Sequence, residues 1–263
     1  MRMTGNTILV TGGGSGIGRG MAEEFLRRGN EVIIAGRRQS ALDEVVAANP
    51  GMAAMALDIG DAEAVRAFGA EIVRRFPALD TVVHMAGIMQ NERLTKPGAM
   101  LEVAEATVAT NLLGPMRLTA ALLPHLLSRP RAAILTVTSG IAYLPFAMTP
   151  SYTATKFAIR GWTDAIRLQL RETNVQVIEL IPPYVRTGLM GDRQASDQNA
   201  MPLDRYLAET FELLERQPEA GEIVIENVKP QRYAEARGEY ETLLVKRNEM
   251  LMAARKAEWD ALA

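Results

Sequence analysis

Seven short, apolar-rich runs separated by longer segments of helical period constrain the fold of this chain more than any other feature. The runs are about five residues long and rich in β-branched side chains. Such runs are typical of parallel strands that are buried on both faces. We therefore predict an α/β fold in which helices cover both faces of a mainly seven-stranded parallel sheet. The predicted strands are Thr7–Thr11, Glu31–Ala35, Ala53–Leu57, Thr81–Met85, Ala133–Thr138, Gln176–Ile181 and Glu222–Glu226.

Chain length and turn residues predict one domain. At 263 residues the chain can bury one large core, and α/β sheets of this length commonly form a single domain. Proline and glycine mark isolated turns, such as Pro97–Gly98, but form no linker. We expect one domain over residues 1–263, with a substrate lid at about 188–215 and a helical extension at about 231–263 that contributes to a subunit contact.

The composition argues against several classes of function. Lys and Arg total 29 against 31 Asp and Glu, so there is no overall basic field to attract nucleic acid. With no cysteine and only His84 and His125 as imidazoles, a catalytic metal is not expected. No apolar run reaches the roughly 18 residues of a membrane helix, and Met1–Gly5 leads into the first strand without a signal region. We expect no membrane partner and a cytoplasmic location.

A glycine-rich run joins the first predicted strand to a helical segment. It reads Thr11-Gly12-Gly13-Gly14-Ser15-Gly16-Ile17-Gly18. Glycines permit a tight turn and let backbone N–H groups approach a pyrophosphate, which the positive end of the following helix dipole also favours. The alternative is a tight turn without a ligand. The position of the glycine-rich run in the first βαβ unit favours a dinucleotide site in a doubly wound sheet of Rossmann type.

The end of the second predicted strand indicates which dinucleotide is bound. An acidic residue near this point accepts the ribose hydroxyls when NAD is the ligand. Here the strand ends in Ala35-Gly36-Arg37-Arg38. An arginine can instead hold the 2′-phosphate of NADP, so we expect NADP (NADPH) and disfavour NAD. The alternative is that Arg37 and Arg38 are a solvated start to the next helix.

Tyr152 and Lys156 lie four residues apart in a predicted helix, so they share one face. A free phenol titrates near pH 10, which is too high for efficient proton transfer at neutral pH, but a neighbouring ammonium group lowers that pKa. The pair therefore suits acid/base chemistry. Taken alone, the same spacing is more often an exposed helix face.

The chain resembles the short-chain dehydrogenase/reductase family over about Thr7 to Glu226. The Tyr-x-x-x-Lys motif of the family matches Tyr152 and Lys156, and its catalytic Ser and Asn match Ser139 and Asn111. The resemblance implies that Ser139 hydrogen-bonds the substrate oxygen, Tyr152 transfers its proton, and Lys156 lowers the Tyr152 pKa and holds the nicotinamide ribose. It implies that Asn111 supports a water-linked proton relay. Singly, Ser139 would be a strand-end cap and Asn111 a buried amide.

The same resemblance implies a set of cofactor contacts, which includes the aspartate that contacts the adenine in this family, here Asp58. The expected cofactor-binding residues are Thr11, Gly12, Ser15, Gly16, Ile17, Gly18, Arg37, Arg38, Asp58, Ile59, Ala86, Gly87, Tyr152, Lys156, Pro182, Val185 and Thr187.

Two segments depart from the family pattern. The Asn-Asn-Ala-Gly of the family is His84-Met85-Ala86-Gly87 here, and its Pro-Gly is Pro182-Pro183. We interpret His84 as a structural residue rather than a catalytic base, because it matches a structural Asn. Proline restricts a turn that glycine leaves free, so Pro183 is expected to stiffen the approach to the lid.

These features predict an NADP(H)-dependent oxidoreductase that interconverts a carbonyl and a secondary alcohol, with Tyr152 as general acid/base. The alternative is a non-catalytic NADP-binding sensor or scaffold, since a fold does not fix a function. An epimerase of the related extended type would need a larger substrate domain. We expect a small substrate that is largely apolar near the reacting carbon, and a homodimer or homotetramer by resemblance. The loop residues expected to border this pocket are Met89, Ile141, Leu144, Met148, Tyr184 and Met190.

Overall fold

A computed structural model describes residues 1–95 and 100–262, so the turn predicted at Pro97–Gly98 lies outside the described residues. Seven strands form one parallel sheet in the order β3-β2-β1-β4-β5-β6-β7, which confirms the predicted fold class. The strands are β1 (Thr7–Thr11), β2 (Glu31–Gly36), β3 (Ala53–Ala56), β4 (Thr81–His84), β5 (Ala132–Val137), β6 (Val175–Leu180) and β7 (Glu222–Ile223).

Strand β7 is shorter than the sequence predicts. It ends at Ile223 rather than Glu226, because the chain turns into a short 3₁₀ helix at Glu226–Val228. The other predicted strands differ from the observed ones by no more than one residue at either end.

Eleven α-helices lie in the described part of the chain. They are α1 (Gly16–Arg27), α2 (Gln39–Ala48), α3 (Ala62–Arg75), α4 (Met100–Val108), α5 (Gly114–Ser128), α6 (Pro150–Leu170), α7 (Asp192–Ser196), α8 (Leu203–Arg216), α9 (Lys229–Arg232), α10 (Tyr240–Ala254) and α11 (Lys256–Ala261). None of the described helices is both long and apolar enough to cross a membrane.

The strands are apolar along their whole length because helices cover both faces of the sheet. Ile8 and Val10 of β1 join a core cluster that includes residues of α1, α2 and α8. Leu9, between them, joins a second cluster with residues of α3, α5 and α6. All three side chains are fully buried. Side chains alternate between the faces of a strand, so each face contributes to its own core layer.

The segment expected to be a lid contains a core helix. Helix α8 buries Tyr206, Phe211 and Leu214, and the Phe211 ring meets the Phe25 ring of α1 edge to face with 4.8 Å between centroids. Helix α8 therefore belongs to the layer that covers the sheet. The proposal of a lid is limited to the residues that precede it, 188–202.

The C-terminal extension packs back on its own chain. The Asn248 side chain of α10 accepts a hydrogen bond from the Ala147 N–H at 2.8 Å and donates to the Pro145 carbonyl at 2.9 Å. Farther on, the Arg93 guanidinium lies over the Trp259 ring of α11 at 5.1 Å. Both helices thus lie against the loops that follow β4 and β5.

Candidate active site

The candidate site lies at the carboxyl edge of the sheet, where the strand order reverses. Strand β1 pairs with β2 on one side and with β4 on the other. The chain leaves neighbouring strands in opposite directions there, which opens a crevice at the strand ends. The glycine-rich turn after β1, the loop after β4 and Ser139 after β5 all lie at this edge.

The glycine-rich turn requires glycine at two positions. Gly12 has φ +70°, and a Cβ there would lie 2.8 Å from the Ala86 Cα. A Cβ at Gly18 would collide with the carbonyl oxygen of Gly12. No side chain in the described structure caps the N-terminus of α1 at Ser15, and its first turn holds no acidic residue. A tight backbone turn and an uncompensated positive helix end fit a bound pyrophosphate.

Thr11 joins this turn to the loop after β4. Its hydroxyl donates to the Val83 carbonyl at 3.2 Å and accepts from the N–H groups of Met85 and Ala86, each at 3.1 Å. These bonds hold the loop that contains Ala86 and Gly87 beside the glycine turn. In the described structure Thr11 therefore positions the backbone of the loop after β4.

Two arginines follow β2 at the same edge. Arg37 and Arg38 are exposed, and neither side chain has an ion pair or hydrogen-bond partner within the described ranges. After β3, the exposed Asp58 accepts a hydrogen bond from the Gly60 N–H at 2.9 Å, while Ile59 is buried. Free cations and the absence of an acidic residue at the end of β2 fit a phosphorylated ribose.

Thr187 lies beside the glycine turn. A Cβ at Gly16 would be 3.4 Å from the Thr187 Cβ. The Gln194 amide of α7 donates to the Val185 carbonyl at 2.8 Å and to the Thr187 hydroxyl at 3.2 Å. Gln194 could not be predicted from the sequence, because it lies seven residues from Thr187 and carries no local signal of this contact. Pro182 accepts from the Gly140 N–H at 3.0 Å, which ties the loop after β6 to that after β5.

Tyr152, Lys156 and Ser139 line one cavity of about 160 Å³. Tyr152 and Lys156 are 8% and 7% exposed, and the Lys156 Nζ lies 5.3 Å from the centroid of the Tyr152 ring. The Lys156 Nζ also donates to the Val137 carbonyl at 2.7 Å. Ser139 caps a 3₁₀ turn, where its Oγ accepts from the Ile141 N–H at 3.2 Å. Helix α6 and the end of β5 thus bring the three side chains together.

Burial shifts the pKa values of the Tyr–Lys pair in opposite directions. It raises the pKa of Tyr152 above the usual 10, and the hydrogen bond with Ser139 offsets part of this shift. Burial lowers the pKa of Lys156 to about 8. Lys156 was expected to lower the Tyr152 pKa, but in the structure burial is the largest effect and raises it. Near neutral pH the phenol is therefore protonated, and most Lys156 side chains carry their charge.

Asn111 lies in a π-helical turn, Ala109–Leu113, between α4 and α5. Its Oδ1 accepts from the Ile88 N–H at 2.9 Å, and its Nδ2 donates to the Ile88 carbonyl at 2.8 Å and to the Thr155 hydroxyl at 3.4 Å. Asn111 therefore links the loop after β4 to α6. Such π turns occur frequently at functional sites, but no residue in this segment marks one in the sequence.

His84 is buried under the sheet edge. Its Nε2 is 2.8 Å from the Thr119 hydroxyl, and its Nδ1 has no partner in the described structure. Burial lowers the pKa of His84 to about 3, so the ring is neutral at physiological pH. His84 does not line the cavity that holds Tyr152. This placement agrees with a structural role.

The cavity has a largely apolar lining with two arginines. Of the six loop residues expected to border the pocket, four line it: Met89, Ile141, Leu144 and Tyr184. Met148 is fully buried elsewhere, and Met190 lies outside the lining. Arg247 and Arg255, from α10 and its C-terminal cap, complete the wall. The sequence analysis missed both, because only the fold brings the end of the chain over Tyr152.

Comparisons with known proteins agree with this architecture. The family model for short chain dehydrogenases matches residues 6–198. The uncharacterized oxidoreductase DltE of Bacillus subtilis is 40% identical over 189 residues, which cover 72% of this chain and 75% of that protein.

Solved structures show the same fold. An alcohol dehydrogenase from Thermococcus sibiricus, complexed with 5-hydroxy-NADP, superposes with a TM-score of 0.76 at 24% identity, over 85% of this chain and 97% of that one. A serine dehydrogenase complexed with NADP+ has a TM-score of 0.74 at 25% identity, over 83% and 94% of the two chains.

The parallel sheet with its glycine turn at the reversal of strand order defines a protein of the Rossmann type. Within that class, the chain belongs to the short-chain dehydrogenase/reductase family. It is an oxidoreductase of that family, whose members bind a nicotinamide cofactor.

Proposed function

We propose that this oxidoreductase interconverts a carbonyl and a secondary alcohol with NADP(H), and that Tyr152 transfers the proton. The observation that carries the proposal is the convergence of the buried Tyr152 and Lys156 with Ser139 on one cavity, at the strand edge that also bears the glycine turn. When bound, the nicotinamide donates or accepts the hydride. The remaining chemistry belongs to the side chains of the chain itself.

In the reductive direction Tyr152 acts as the general acid. Its raised pKa keeps the phenol protonated until a substrate oxygen draws the proton away. Ser139 donates a second hydrogen bond to that oxygen, so that two hydroxyl groups stabilise the developing negative charge. The Lys156 ammonium, close to the Tyr152 ring, stabilises the phenolate that remains. Asn111, fixed by Ile88, supports a water-linked relay that returns a proton.

The proposed cofactor site extends from the glycine turn to Arg37 and Arg38. Two observations support NADP over NAD: both arginines are exposed and without partners within the described ranges, and β2 does not end in an acidic residue. The serine dehydrogenase of similar fold also carries NADP+. The residues proposed to hold the cofactor are Thr11, Gly12, Ser15, Gly16, Ile17, Gly18, Arg37, Arg38, Asp58, Ile59, Ala86, Gly87, Tyr152, Lys156, Pro182, Val185 and Thr187.

A test of the cofactor assignment is fluorescence titration with NADPH and NADH. We expect wild type to bind NADPH at least about tenfold more tightly than NADH, and Arg37→Ala/Arg38→Ala to remove that difference, because a charge-assisted phosphate contact contributes about 1.5–3 kcal/mol. Arg74→Ala/Arg75→Ala is the matched control, because this pair ends α3 at the opposite edge of the sheet. A wild-type preference for NADH would contradict the assignment.

A non-catalytic NADP sensor remains the competing function. It requires the glycine turn and the arginines but has no need for a buried Tyr152 beside Lys156. Tight NADPH binding by a wild-type protein that turns over no carbonyl compound would favour the sensor.

The proposal includes a homodimer or homotetramer. Three large apolar side chains of α4 and α6 are exposed in the single chain: Leu101 at 65%, Phe157 at 37% and Leu168 at 66%. Burial of such side chains against a second copy would stabilise an assembly. Light scattering measures the mass, and a monomer of 28.7 kDa would contradict this part of the proposal.

A further inference from the structure

The far C-terminal part of the chain supplies the basic side chains of the cavity. Arg247 and Arg255 line the cavity together with Lys156, and no Asp or Glu is found among the described residues of its lining. Both arginines lie beyond residues 6–198, the part that matches the family model. The proton-transfer pair therefore faces a wall that lies outside the matched segment, and that wall is positively charged.

Arg255 is almost completely buried without an anionic partner. It is 7% exposed, and its guanidinium lies 5.4 Å from the centroid of the Phe146 ring and 5.2 Å from that of the Tyr184 ring. Its side-chain hydrogen bond within the described structure goes to a thioether, the Met190 Sδ, at 3.8 Å. No carboxylate lies within 4.0 Å of it in the described ranges. Burying a charge is costly unless it is paired, so this guanidinium has unused capacity for an anion.

Arg247 is held nearby by a neutral partner. With the Gln231 amide oxygen turned toward it, the two terminal nitrogens of Arg247 donate to that oxygen at 3.0 and 3.2 Å. Burial lowers the pKa of Arg247 below its usual range. The described structure gives Arg247 no ion pair either. Gln231 thus orients the guanidinium without neutralising its charge.

The acidic groups near this wall are already engaged: Glu258, three residues after Arg255, forms an ion pair with Arg193. Asp197 accepts a hydrogen bond from the Tyr184 hydroxyl at 3.1 Å, and its backbone carbonyl accepts from the Arg186 Nε. Glu92 accepts from the Ser151 N–H at 2.9 Å and from the Ser151 hydroxyl at 2.6 Å. None of these carboxylates lines the cavity. The positive charge that faces Tyr152 is therefore not balanced within the described lining.

We propose that the substrate is a small oxo acid or hydroxy acid, and that Arg255, assisted by Arg247, binds its carboxylate while Tyr152 and Ser139 bind the reacting oxygen. The planar donor fork of arginine matches a carboxylate in charge and geometry. The apolar residues between the two ends of the cavity would contact the carbon chain. This inference rests on the proposed function and names its substrate class.

The test compares acids with their neutral analogues. Pyruvate, acetoacetate and levulinate are each paired with the methyl ester, and two quantities are measured: calorimetric binding to the NADP+-saturated enzyme, and kcat and KM at saturating NADPH. The variants are Arg255→Met, which keeps length without charge, and Arg255→Lys, which keeps the charge. Lys246→Met is the matched control, because Lys246 is an exposed cation on the same helix.

For at least one pair, we expect wild type to prefer the acid to the ester at least about tenfold in kcat/KM and in affinity. Arg255→Met should raise KM and Kd for the acid at least about tenfold. KM and Kd for the ester, and the Kd for NADPH, should stay within about threefold of wild type. Arg255→Lys should recover part of the loss, and Lys246→Met should resemble wild type.

Three results would overturn the inference. The first is that wild type binds none of the acids, and the second is that Arg255→Met weakens binding of the acid and the ester equally. The third is that Arg255→Met weakens NADPH binding, in which case Arg255 contacts the cofactor phosphates. Failure of the proposed function is separable from these outcomes. If acids bind through Arg255 but none is turned over, the substrate site stands and the redox function fails. If only neutral carbonyl compounds are reduced, the redox function stands and the carboxylate site fails.

Discussion

The fold lowers the pKa of Lys156, and this shift can be measured. Its ammonium is buried beside the Tyr152 ring, where its one protein hydrogen bond within the described ranges goes to the Val137 carbonyl. Burial without an anion favours the neutral amine and lowers the pKa to about 8. In the proposed reaction the phenolate supplies the missing negative charge, so the site is poised for a charge that exists only after proton transfer.

This shift predicts a pH dependence of stability. Between pH 8 and pH 10 the native ligand-free chain has released the Lys156 proton while the unfolded chain, with the usual pKa of 10.5, retains it. Because the unfolded state then binds more protons, the free energy of unfolding rises with pH, by about 2 kcal/mol over this window. Above pH 10 the native chain retains the Tyr152 proton that the unfolded chain releases, because burial raises the pKa of Tyr152. There the free energy of unfolding falls with rising pH.

Urea unfolding of wild type and Lys156→Met across this pH range measures the effect. The methionine variant keeps the length of the side chain and lacks the titrating group, so its stability should not share the rise. Parallel pH profiles for the two proteins would contradict the assigned pKa shift.

At the residue scale, sequence reasoning depended on local spacing. The four-residue spacing, together with the matches at Ser139 and Asn111, predicted the pairing of Tyr152 with Lys156, and the glycine run predicted the turn. Arg255 has no comparable signal, because its relation to Tyr152 is created by the path of the chain after β7. The effect of burial on the Tyr152 pKa also depends on the surrounding packing, which the sequence does not show.

At the scale of elements, helix α10 connects the distal chain to the site. Asn248 anchors it through the Ala147 N–H at 2.8 Å and the Pro145 carbonyl at 2.9 Å. Leu251 and Arg255 then reach the cavity from the last turns. Part of this helix covers the cavity of its own chain, and the subunit contact that the apolar residues of the extension suggested stays a prediction.

Asn248→Ala should loosen α10 locally. The bonds to the Ala147 N–H and the Pro145 carbonyl are exposed and half-buried, so the loss of each costs about 0.5–1.5 kcal/mol. Amide hydrogen exchange across residues 240–254 should accelerate about tenfold or more, with the sheet unchanged. Asn49→Ala, which removes an amide bonded at the end of α2, is the control. Equal exchange of α10 in all three proteins would show that Asn248 is not its anchor.

Elements with a strong periodic pattern could be predicted, and those defined by packing could not. The parallel strands followed from continuous apolar runs because both faces of the sheet are covered. Helix α8 was included in the expected lid, since its polar neighbours concealed the face that packs on α1. The π turn at Ala109–Leu113 depends on how Asn111 bonds Ile88, a contact between separate segments.

At the scale of the whole molecule, the sheet brings distant segments to one edge. The glycine turn after β1, the loop after β4, Ser139 after β5 and Pro182 after β6 meet where the strand order reverses. Helix α10 and its C-terminal cap then complete the wall of the cavity. A chain with balanced charge overall thereby acquires a cavity whose described lining carries only basic charges.

The most direct test of the central claim uses NADPH in which both hydrogens of the reactive nicotinamide carbon are deuterium. Transfer of deuterium to a carbonyl substrate is followed by mass spectrometry of the alcohol. We predict one deuterium on the carbinol carbon. We also predict a rate at least about 100-fold lower in Tyr152→Phe, because general acid catalysis contributes about that much, with NADPH binding within about threefold of wild type. An unlabelled alcohol, or a full rate without the Tyr152 hydroxyl, would contradict the account.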